Sequence, residues 1–77
     1  MKVEILLAEF IGQQEKKLLA LGRRLVPTLT PEDILQPNDF NELEHNPYFR
    51  YEEGLLAGML TVQAAIIAWE KERGAYE

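Results

Sequence analysis

Gly54-Leu55-Leu56-Ala57-Gly58-Met59-Leu60-Thr61-Val62-Gln63-Ala64-Ala65-Ile66-Ile67-Ala68-Trp69 is a run of sixteen residues without a charge, set in an acidic chain of 77. At about 100° per residue, its large side chains fall in two sectors. Leu55, Met59, Val62, Ile66 and Trp69 form one, and Leu56, Leu60 and Ile67 the other. Gly54, Ala57, Gly58, Thr61, Ala64, Ala65 and Ala68 fill a third. A helix that is apolar nearly all round needs cover on nearly every side. Only one other long helix is on offer in this chain, so the run predicts self-association.

That other helix is expected over residues 2–26. Val3, Leu7, Phe10, Ile11, Gln14, Leu18, Leu21 and Leu25 recur at steps of three and four and make one stripe. Pro27 ends it, because its ring disfavours helical geometry at Val26 and it has no amide proton. Arg23 and Arg24 in the last turn suit the negative end of the helix dipole. A connector over residues 27–46 carries two short helix starts, Thr30-Pro31-Glu32-Asp33 and Asp39-Phe40-Asn41-Glu42, with Gln36-Pro37 breaking the first. Phe40 and Leu43 are its expected anchors. Asn46-Pro47 opens the second long helix, expected to run to about Arg73 with Gly74 as its stop.

Size argues the same way as the apolar run. A single core in 77 residues supplies only about 3–5 kcal/mol. Without cysteine, disulfides and thiolate metal sites are excluded, which leaves oligomerisation as the readiest support. The expected fold is therefore all-α: one domain, a hairpin of two long antiparallel helices that dimerises into a four-helix bundle. Leu7, Phe10, Gln14 and Leu18 of the first helix and Gly54, Gly58, Val62 and Ile66 of the second are the candidate oligomer interface. Gly54 and Gly58 each cost roughly 1 kcal/mol against alanine inside a helix. Close approach by another helix is one return for that cost, and the first helix carries Ala8 and Gly12 at the same spacing. Gln14, set in an apolar stripe, either meets Gln14 of a second copy or another polar group across a dimer interface, or sits at the stripe margin in water. Gln63, flanked by Glu52 and Glu70, reads as a margin residue.

A net charge of −5 and a pI near 4.8 argue against nucleic-acid binding, which starts from a basic surface. The start, MKVEILLAEFIG, is interrupted by Glu4 and Glu9 and has no small-residue cleavage site, so a cytoplasmic protein is expected rather than a secreted one. The uncharged run would reach about 24 Å as a helix, short of a ~30 Å hydrocarbon core, which makes a membrane anchor the third-ranked reading.

Chemistry is sparsely signalled. Serine and cysteine are absent, and Thr30 and Thr61 have structural explanations as a cap and a small interface residue. Neither a phosphate-binding loop nor a second histidine exists, so catalysis by the chain alone is not expected and no cofactor is implied. Glu42 and His45 form a Glu-x-x-His pair of the type found in carboxylate-bridged metal bundles; a homodimer would bring two such pairs, with Glu9, Glu52 or Glu53 completing the set. Metal binding is thus the alternative function, although His45 at a helix end equally suits capping. Between Thr28 and Glu53, seven acids face one base, Arg50, while Lys16, Lys17, Arg23 and Arg24 cluster at the end of the first helix. Surface ion pairs between these groups are expected, each worth about 0–1 kcal/mol. Tyr48, Arg50 and Tyr51 are the residue types favoured at contact hot spots, and are the candidates for binding another protein. The leading expectation is a small homo-oligomeric interaction or assembly module.

Overall fold

A computed structural model describes residues 2–36 and 39–76. Every regular element among them is helical: α1 (Val3–Leu25), a 3₁₀ turn (Asp33–Leu35), the short α2 (Asn41–Glu44) and α3 (Pro47–Tyr76). Gly22 lies beside Phe49, Gln14 is bonded to Glu52 and Glu70 meets Glu4, so α1 and α3 run antiparallel. The hairpin is long and thin, 49 × 22 × 19 Å, with a radius of gyration of 15.2 Å. A compact chain of this length would have about 11.5 Å.

Local residues explain the element ends. Val26 leaves helical geometry just before Pro27, and its amide still bonds the Gly22 carbonyl at 2.8 Å. Asn46 caps α3: its Oδ1 accepts the Phe49 amide at 2.9 Å, and Pro47 occupies the first turn, where an amide proton is dispensable. At the first connector turn the cap works backwards from expectation. The Thr30 hydroxyl is not the acceptor; instead the Asp33 carboxylate reaches back to the Thr30 amide at 2.9 Å. Pro37 of the Gln36-Pro37 break lies outside the described residues. Gly74 does not stop α3, which continues to Tyr76; a glycine ends a helix only where the chain also turns, and α3 keeps its direction there.

The core gathers at the connector end. Leu18, Leu29, Leu43 and Phe49 are fully buried there, with Ile34 beside them and Ile11 and Leu56 extending the contact along the hairpin. Gly22 is what lets the connector close. A β-carbon on it would overlap Leu29 and lie 3.2 Å from Phe49. Arg23 Nε donates to the Leu29 carbonyl at 2.8 Å and pins the same loop. Leu18, expected at an oligomer interface, thus belongs to the subunit's own core and has no surface to offer.

Candidate interaction surface

Gln14 is the one buried polar side chain among the described residues, and it is satisfied within the subunit. Its Nε2 donates to the Glu52 carbonyl at 2.9 Å and to the Glu52 carboxylate at 2.8 Å. Lys17 Nζ binds the other carboxylate oxygen at 2.9 Å. The Gln14 hydrogen bond and then the Lys17 bond hold the Glu52 carboxyl below its ordinary value of 4.5, against a smaller opposing effect of desolvation. This corrects both expectations for Gln14: its amide meets neither a second Gln14 nor water. Antiparallel packing brings Gln14 level with Glu52, a carboxylate whose place opposite α1 depends on the length of the connector.

Beyond this clamp the uncharged run is poorly covered. Of residues 54–69 only Leu56 is buried, while Met59, Gln63 and Ile66 are half-buried. Leu55, Leu60, Val62, Ile67 and Trp69 all expose a third or more of their surface, as do Val3, Ile5, Leu6 and Phe10 on α1. Gly54 and Gly58 have open space where a β-carbon would stand, as does Gly12. The expected close approach of α1 to these glycines therefore does not occur; α1 packs on the opposite side of α3, against Phe49, Leu56 and Met59.

The exposed apolar residues divide between two sides of the hairpin: Ile5, Leu60 and Ile67 lie away from the rest, which share one side. A groove of about 490 Å³ opens between the helices, lined by Lys17, Ala20, Leu21 and Arg24 of α1 and by Asn46, Tyr48, Tyr51 and Glu52. Phe10 lies seven residues before Lys17 and Leu6 four before Phe10, so both share that side of α1. Leu55, Val62 and Trp69 continue the Tyr51 side of α3. Tyr48 and Tyr51 stand largely in solvent at the connector end of this face, and only Phe49 between them turns inward. Arg50 is exposed and paired with Glu53 at 3.2 Å. Among the candidate interface residues, Phe10, Gly58 and Val62 are exposed on or beside this face, Gly54 is exposed at its margin, and Leu7 and Ile66 are half-buried. Tyr51, Leu55, Val62 and Trp69 thus leave an apolar strip of α3 in solvent on the side where Leu6 and Phe10 of α1 are exposed.

Of the ion pairs expected between the basic end of α1 and the seven acids, Lys17 makes one, to Glu52, while Asp33 serves the Thr30 amide. His45 Nδ1 lies 3.1 Å from the Asn41 carbonyl oxygen at the end of α2, the capping geometry open to a helix-terminal histidine. Within one subunit, no group of three or more His, Cys, Asp or Glu side chains among the described residues is placed to hold an ion. No helix among the described residues is long and apolar enough to cross a membrane. Sequence reasoning missed Gly22, although its place one turn after Leu18 on the buried stripe was a usable signal. No family model matches the chain, and comparison with curated proteins and with solved structures gives no match either.

Proposed function

We propose that this protein is a small cytoplasmic interaction or assembly module that acts as a homo-oligomer, two hairpins closing into a four-helix bundle, without catalysis of its own. The observation that carries this reading is the apolar face left open along the hairpin, from Tyr51 to Trp69 on α3 and over Leu6 and Phe10 on α1. Exposed hydrophobic area of this kind costs free energy in water and is recovered by association. A second hairpin is the partner the chain itself supplies. Size-exclusion chromatography with light scattering at micromolar concentration tests it. Twice the mass of the 8.9 kDa chain supports the proposal, and a folded monomer refutes it.

A further inference from the structure

Within the open face one line of residues has coiled-coil spacing. Tyr51, Leu55, Gly58, Val62, Ala65 and Trp69 follow one another at steps of four and three, the repeat of a helix–helix seam. All six are exposed, and none carries a charge. The Thr61 hydroxyl beside them donates to the Ala57 carbonyl at 2.9 Å, so covering the seam strands no donor there.

Residue size alternates along the seam in a way that is self-complementary. Leu55, Val62 and Trp69 are large at one heptad position; Gly58 and Ala65 are small at the other, with Tyr51 at its end. Two copies laid antiparallel about a two-fold axis level with Leu60 bring Leu55 opposite Ala65, Val62 opposite Gly58 and Trp69 opposite Tyr51. Every layer then sets a large residue against a small one, or ring against ring. A parallel pairing stacks Gly58 on Gly58 and Ala65 on Ala65, leaving two voids that a close-packed interface does not tolerate. Arg73 already covers part of the Trp69 ring at 4.8 Å from its centroid, which leaves the rest of the ring for Tyr51 of the second copy.

Resting on the homo-oligomer reading, we infer that the chain pairs with a second copy through an antiparallel α3–α3 seam formed by Tyr51, Leu55, Gly58, Val62, Ala65 and Trp69. Area supports this occupant. Covering the exposed parts of Tyr51, Leu55, Val62 and Trp69 alone removes on the order of 500 Å² per subunit, more than half of the ~800 Å² per partner of a standard stable interface. Charge supports it too: two chains of net charge −5 repel, and the seam is where they meet without a carboxylate.

Cysteine cross-linking tests the register, because the chain has no thiol of its own. Leu55→Cys and Ala65→Cys replace exposed residues and leave the core intact. Mixed in equal amounts and oxidised, the two variants are expected to give a covalent heterodimer, and either alone far less. Two copies of position 55 stand about 15 Å apart along the paired helices, beyond the reach of a disulfide. Efficient linking of each variant to itself overturns the antiparallel seam. A dimeric mass by light scattering without the 55–65 link also overturns it, while leaving the homo-oligomer reading in place. A monomeric mass at every concentration overturns both.

Discussion

The side-chain amide of Gln14 donates to both the backbone carbonyl and the carboxylate of Glu52, 38 residues further along the chain. This one group thus ties α1 to α3 at a single level of the hairpin. It also does so with charge, because the carboxylate it holds is shared with Lys17.

Gln14→Ala removes both bonds and leaves the Glu52 carboxylate, 13% exposed, with Lys17 alone. The melting temperature is expected to fall by about 5 °C, the scale on which one lost side-chain hydrogen bond shifts a domain this small. The pH dependence has a definite sign. Glu52 has a folded pKa below its ordinary 4.5, so its contribution is present above that value and disappears as pH drops through the folded value. Thermal melts of wild type and Glu52→Gln should therefore differ most near pH 7 and converge in acid.

Glu70 behaves oppositely. A hydrogen bond to the Glu4 carboxyl, with some desolvation, raises it above 4.5. Nearness to the Glu4 carboxyl favours the protonated form of Glu70 in the fold, so this contribution exists below the ordinary value and is lost as pH rises through the folded one. Glu70→Gln mimics the protonated form. It is expected to melt higher than wild type near pH 7, with the difference vanishing in acid; a difference that grows on acidification contradicts the pairing.

Gly22→Ala forces a methyl against Leu29 and Phe49, both buried. Overpacking of this kind costs about 1–3 kcal/mol, against a helix-propensity gain of at most ~1 kcal/mol, so a net loss is expected in urea titration. Gly12→Ala has open space around it and is the control. It should gain up to ~1 kcal/mol. The two glycines are alike in sequence and differ only in what the connector lays upon them.

Gly58→Leu is expected to leave the single hairpin intact, since nothing lies within 4 Å of the new β-carbon. In the seam it fills the space that Val62 of a second copy needs. Light scattering should show the mass falling to that of one chain while the helical circular dichroism persists. An unaltered dimeric mass would place the contact elsewhere.

Much of the fold can be read from residues whose influence is local. Pro27 stops α1 by its own ring, and Asn46-Pro47 starts α3 by a side-chain acceptor and a missing amide proton. Leu43 is an anchor and Phe40 is partly buried, because apolar residues in a short connector have one core to reach. What depends on register is less legible. Whether Gln14 faces a partner or Glu52, and whether Gly22 or Gly58 is the crowded glycine, is decided by how the connector sets α1 against α3. Several side chains together fix that setting, Leu29, Leu43 and Phe49 among them. Helix periodicity alone offered α1 as the neighbour of Gly54 and Gly58, and α1 packs on the other side of α3.

Burial that is richest around the bend and thinnest at the tips makes the hairpin a zip fastened at one end. Thermal opening should begin where Val3 and Trp69 stand and stop at Leu18 and Phe49. Anything that clasps the tips then slows amide exchange there by mass action, so dilution should loosen the far ends of both long helices while the bend stays protected.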